Sequence, residues 1–181
     1  MEGGLKLDFE TGDRTSHFIH STLRERIVEH VFVGEALRRL WQHGVTDVEV
    51  LRSEFDAGGY DLVMSHRKIV RHIQFKTSMA DGKAASIKAS LKLMEKPSGC
   101  IIWILVTPKL GLDSYRWLGS NPGDPLPDIR NLRVAKHTKA NTKREKTERP
   151  DQRVIPRNRF EALCSLNEVL ERLFGPLKAN T

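Results

Sequence analysis

The chain has 181 residues, of which 39% are hydrophobic and 29% charged, and a formal net charge of +7. That length suits a single domain with a sizeable core, the apolar content is ordinary for a globular chain, and no stretch approaches the ~20 apolar residues needed to cross a bilayer. From Arg130 to Arg159 eleven Lys or Arg face three acids, so the whole surplus lies in one segment, which suits a polyanion or, more plainly, a solvated loop.

Met1 to Ser16 is Gly-rich and polar and reads as a loose arm, without the basic start and apolar run of a signal peptide. A cytoplasmic protein with no membrane partner is the expectation. His17 and His20 follow, and without a nearby third ligand they read as surface residues. From about Thr22 to Gln42 the pattern predicts one long helix, capped by Ser21 or Thr22 and stopped by Gly44. Val28, Val31 and Phe32 form an apolar stripe that Glu35 continues. A carboxylate on an inward stripe needs a cation or a donor, so Glu35 is the most informative acid on the helix; an ion pair with Arg38 or Arg39 is the competing reading. Glu25 and Glu29 read as a solvated ladder with Arg26.

Asp47 to Leu51 predicts a strand. The stretch from Phe55 to Ser78 then reads as two strands joined at a polar His-Arg-Lys break, with Asp61 on the first and Gln74 and Lys76 on the second. Gln74 and Lys76 are two apart and share a face, while Ile73 and Phe75 take the other. A hairpin brings a carboxylate, an amide oxygen and an ammonium group to one point, a place for a divalent cation and a phosphate. Asp56 competes with Asp61 for the metal role, but Asp61 adjoins the strand residues Leu62 and Val63. The paired glycines Gly58 and Gly59 would let a phosphate backbone approach closely.

Thr77 and Ser78 offer hydroxyls to phosphate oxygens. A turn at Asp81-Gly82 leads to a helix predicted from about Ala84 to Glu95, with Lys88 and Lys92 on one face. Cys100 to Thr107 reads as a central strand covered on both sides and ended by Pro108. Ser114 to Leu118 predicts an edge strand, with Trp117 in the core. Asn121 to Pro127 is a turn-rich linker. Leu132 to Arg157 has little periodicity and carries Lys139, Lys143, Arg144, Lys146 and Arg149. A final amphipathic helix runs from Arg159 or Phe160 to Phe174 and ends at Gly175-Pro176. Cys100 on its strand and Cys164 in this helix read as small buried residues of a reducing compartment.

Gly59-Tyr60-Asp61-Leu62-Val63 followed by Ile73-Gln74-Phe75-Lys76 resembles the core of the PD-(D/E)XK nuclease superfamily, in the variant with Gln before the lysine. It is similar above all to Mrr-type restriction nucleases and Holliday-junction resolvases, whose additional helix glutamate would correspond to Glu35. The resemblance covers roughly residues 21 to 107. It implies an α/β fold in which a mixed central sheet is flanked by helices, a restriction-endonuclease-like core, here followed by a basic insert and a final helix. On that reading residues 1–20 are an arm, 21–120 the core, 121–159 a basic loop-rich segment and 160–176 the closing helix.

The function implied is metal-dependent hydrolysis of DNA phosphodiester bonds, in restriction, defence, repair or recombination. Asp61, Gln74 and Glu35 would hold Mg²⁺ or Mn²⁺, and Lys76 would complete the catalytic set. Thr77, Ser78, Lys88, Lys92, Lys139, Lys143, Arg144, Lys146 and Arg149 would contact the nucleic acid, and a homodimer is expected. The alternative is a nuclease-like fold that binds nucleic acid without cutting it.

Overall fold

The computed structural model describes residues 20–55, 58–137 and 146–177. The arm through residue 19, Asp56, and the basic residues Lys139, Lys143 and Arg144 lie outside these residues. The elements are α1 (Ser21–Gln42), β1 (Val48–Arg52), β2 (Leu62–His66), β3 (Ile69–Met79), β4 (Ser86–Ser90), β5 (Gly99–Val106), β6 (Leu112–Gly119), β7 (Val134–Lys136), β8 (Glu148–Pro156), β9 (Glu161–Leu163) and α2 (Leu166–Phe174). Two short 3-10 helices, Leu91–Glu95 and Arg157–Arg159, complete the elements among the described residues.

The main sheet has the order β1-β2-β3-β5-β6-β9, and β4, β8 and β7 form a second sheet of three strands. Among the described residues only β3 and β5 run parallel; the other pairs are antiparallel. A parallel pair needs a crossover, and here residues 80–98 supply it with β4 and a 3-10 turn. The α/β class and the mixed sheet therefore agree with expectation, while the second sheet was not foreseen.

All eight residues of β5 are buried. Cys100, Ile102, Ile104 and Val106 pack with α1 and α2, and Ile101, Trp103 and Leu105 face the second sheet with Ile87, Ala89 and Ile155. A strand covered on both faces can be apolar at every position, which is why it was legible. On α1 the buried positions are Val28, Phe32, Ala36 and Leu40, with Glu29 beside them. The inward stripe steps by four, so Val31 is exposed and Glu35 falls off the buried side.

Several expectations are corrected. No side chain caps α1: its N-cap is His20, although Gly44 does end it at φ +72°. The segment predicted as a helix from Ala84 to Glu95 is β4 plus a 3-10 turn, so Lys88 and Lys92 share no helix face. Its Ser86-Ile87-Lys88-Ala89-Ser90 fits period two as well as 3.6, and pairing with β8 decides between them. The basic segment contains β7 and β8 rather than only loop. β6 is interior, between β5 and β9, although Trp117 is in the core as expected.

The final helix starts at Leu166, where Ser165 accepts from the Glu168 amide at 3.3 Å and its hydroxyl donates to the Glu168 carboxylate at 2.8 Å. This capping box, Ser165-Leu-Asn-Glu168, was readable in the sequence. Cys164 thus precedes the helix and is exposed, whereas Cys100 is buried. Among the described residues no helix is long and apolar enough to cross a membrane.

Candidate functional site

β3 has eleven residues and β2 five, and their pairing stops at Leu62 opposite Ile73. Beyond that point the β2 side of β3 is open. Asp61 closes the end of the ladder: its amide donates to the Ile73 carbonyl at 2.8 Å, and its Oδ2 accepts from the Phe75 amide at 2.6 Å. The acid thereby grips β3 on both sides of Gln74.

A cleft of about 500 Å³ occupies this open corner. Asp61, Phe75, Lys76 and Thr77 form its floor, Thr22, Glu25, Arg26 and Glu29 of α1 form one wall, and Ile87 and Lys88 of β4 form the other. Phe32 sets the helix in place by meeting Phe75 edge-on, with ring centroids 4.9 Å apart. Residues one and two turns earlier then fall over the end of β2, so Glu29 and Glu25 face the cleft.

Asp61, Lys76, Thr77 and Lys88 are therefore brought together. Gln74 lies behind them, buried, and its Oε1 has no hydrogen-bond partner. An orphaned carbonyl oxygen is costly and marks a place where an acceptor awaits a ligand or cation. Lys76 makes no ion pair among the described residues.

Glu35 is not part of this group. It lies about 9 Å further along α1 and roughly 120° around it from Glu29, and its carboxylate accepts from Arg38 Nε at 3.1 Å and Nη2 at 2.5 Å. The hydrogen bond from Arg38 holds Glu35 below the usual glutamate range. Burial, assisted by the Glu35 charge, pushes the Tyr115 hydroxyl up to about 12.

The inward acid is Glu29, which was expected to be solvated. It is 6% exposed, and its carboxylate takes Arg26 Nη1 at 3.2 Å and a second hydrogen bond from Arg52 of β1. The readable signal was its place one residue after Val28 and three before Phe32, which the stripe drawn through Glu35 passed over.

Ser78 accepts from Trp103 Nε1 at 3.0 Å. Lys88 donates to the Lys136 carbonyl at 2.7 Å, tying the cleft wall to β7. Lys92 and Lys146 are exposed outside the cleft lining, and Arg149 lies on β8 opposite Ala135. Gly58 and Gly59 are buried, and a Cβ on Gly59 would sit 2.8 Å from Ser90 Cβ, so their smallness serves packing of the chain on itself.

Among the described residues no three His, Cys, Asp or Glu side chains gather closely enough to hold a metal ion on their own. Asp61 and Glu29 of the cleft lining offer the oxygen donors that hard divalent cations take, and Mg²⁺ keeps several waters in any case, while Gln74 lies outside that lining. No protein-family model and no curated protein matches the chain.

Proposed function

We propose that the cleft is the site of a metal-dependent phosphodiesterase acting on DNA, as the resemblance to PD-(D/E)XK nucleases implies. The observation that carries this reading is the meeting of Asp61 and Lys76 with the α1 acids Glu25 and Glu29 in one open corner of the sheet. Glu29 replaces Glu35 as the helix carboxylate. Asp61, the Gln74 carbonyl and Glu29 would hold Mg²⁺ or Mn²⁺, which supplies a water of lowered pKa and neutralises phosphate charge when bound.

Lys76 carries a positive charge at the cleft floor, where it orients the attacking water and stabilises the negative charge that grows on phosphorus-bound oxygen. Thr77 and Lys88 line the same space and hold the flanking phosphates. The described residues form one such cleft per chain, so a two-strand cut calls for a two-fold dimer. A monomer mass by light scattering with full double-strand cleavage would remove that assembly.

The test is cleavage of supercoiled DNA with Mg²⁺ or Mn²⁺. Lys76→Ala and Asp61→Asn should each abolish nicking, with Lys76→Ala keeping the wild-type circular dichroism spectrum. Cleavage by Lys76→Ala at the wild-type rate would refute the assignment. A second reading is favoured by the two arginines already engaging Glu29: a nuclease-like fold that binds nucleic acid without turnover. It predicts steeply salt-dependent retention of DNA and no cleavage with any divalent metal.

A further inference from the structure

α1 is apolar on two sides. Val28, Phe32, Ala36 and Leu40 point into the core, and the opposite side carries Leu23, Ile27, His30, Gly34, Leu37 and Trp41, all of them exposed. These six follow one another in alternating steps of four and three, the spacing of a seam on which helices pair. Val31 lies exposed beside them. Leu23 is 59% exposed and Trp41 70%. A helix that packs on the body through one side ordinarily turns polar residues to water on the other. Here His30 is the one polar side chain of the seam, and Arg38 stands at its margin, bound to Glu35.

Gly34 sits at the centre of the seam. Glycine inside a helix is less favourable than alanine, and a Cβ at this position would meet nothing within 4 Å. No contact among the described residues calls for its smallness, whereas a second helix crossing close over this point would. The seam is also arranged evenly about it: Val31 and Leu37 lie three residues to either side, Ile27 and Trp41 seven. Two copies of α1 running antiparallel about a two-fold axis at Gly34 therefore set Ile27 against Trp41 of the partner subunit and Val31 against Leu37 of the partner subunit, each contact made twice.

The five large apolar side chains leave on the order of 400 Å² per chain in water. Two copies cover about 800 Å² of apolar surface, and the backbone at Gly34 with the flanks of His30 and Arg38 brings the total toward the ~1,200 Å² of the smallest specific interfaces. We propose that this outward side of α1 is a homodimer contact, an antiparallel crossing of two α1 helices with Gly34 on the two-fold axis. The proposal stands on the helix alone, without the chemistry of the cleft, and gives a surface to the two-fold assembly that a two-strand cut calls for. Glu25 and Glu29 face the cleft from the other side of the helix, and the two copies of Glu25 lie about 27 Å apart along the helix direction at 1.5 Å rise per residue, so both clefts stay open. A contact of this size suits a dissociation constant in the micromolar range.

The experiment is sedimentation velocity of the full chain across micromolar concentrations. Gly34→Leu fills the crossing point and Trp41→Ser removes the largest side chain of the contact. Each should raise the dissociation constant at least about tenfold with an unchanged circular dichroism spectrum, since both positions are exposed. As a monomer the Gly34→Leu variant should melt no lower than the wild type, because leucine is the better helix former. In a Cys164→Ser background, oxidised glutathione should link Gly34→Cys to its own copy across the axis, and Leu23→Cys, eleven residues away, should not link to itself.

A chain that is monomeric at every concentration would overturn the proposal; if the Gly34→Cys thiol in that monomer also resists a labelling reagent, the seam belongs to residues 1–19 of the same chain instead. A dimer that neither substitution weakens would overturn it as well. Absence of DNA cleavage in the wild type would remove the reading of the cleft and leave this contact standing.

Discussion

Replacing Glu29 by Gln keeps the side-chain volume and removes its charge, in a carboxylate whose side chain is 7% exposed and which binds two arginines. A hydrogen bond to a charged group contributes about 1.5–3 kcal/mol. The amide oxygen of Gln still accepts one of the two. Arg26 and Arg52 are 64% and 36% exposed, so a displaced guanidinium regains water rather than remaining stranded. The net loss is therefore about 1–2 kcal/mol, or roughly 2–8 °C in melting temperature for a chain of this size.

Catalysis should suffer much more. If this acid is the helix carboxylate of the cation site, losing about 3 kcal/mol of transition-state stabilisation lowers the cleavage rate about 100-fold. The Mg²⁺ concentration needed should also rise. Plasmid nicking as a function of Mg²⁺, paired with thermal melts by circular dichroism, separates the two effects. A variant that melts lower but nicks at the wild-type rate, with an unchanged Mg²⁺ requirement, would refute the reasoning and reduce Glu29 to an anchor for Arg26 and Arg52.

Arg71 is wholly buried on β3 and donates to the carbonyls of Leu173, Arg172, Ser120 and Asn121. Two of these are the C-terminal carbonyls of α2 that have no helical partner. Arg71→Met should destabilise by about 2–4 kcal/mol, since each stranded carbonyl costs about 1–3 kcal/mol and relief of guanidinium burial offsets part of it. Chemical denaturation checks this, and a change below about 0.5 kcal/mol would show that the clasp is unimportant. Burial pushes the Cys100 thiol up to about 12, whereas Cys164 is exposed. A thiol reagent at mildly alkaline pH should therefore label Cys164 alone in the native protein and both cysteines in denaturant; prompt labelling of Cys100 in the native state would contradict the packing of β5.

What could be read from the residues was whatever local chemistry decides without help. The apolar run of β5, the hairpin around Arg67 and Lys68, and the two-residue step from Gln74 to Lys76 follow from side-chain alternation alone. The juxtaposition of Asp61 with Lys76 followed from the hairpin. Glu35 was read as the inward-facing acid and Glu29 is the buried one, because both lie near an apolar stripe and a step of one residue turns a helix by about 100°. Only the seat of Phe32 on Phe75 settles which way α1 faces.

The same limit applies to β4 and the basic segment. Ser86–Ser90 has no intrinsic bias strong enough to exclude a helix, and β8 buries only Ile155, so neither announces itself as a strand. Each becomes one by pairing with the other across more than sixty residues of sequence. Alone, then, the amino-acid order determined the central strands and the pair of groups that the β2–β3 hairpin brings together, because neighbours in a hairpin are neighbours in the chain. The walls of the cleft and the burial of Glu29 within them were decided only in three dimensions, where contacts between distant segments outweigh weak local preference.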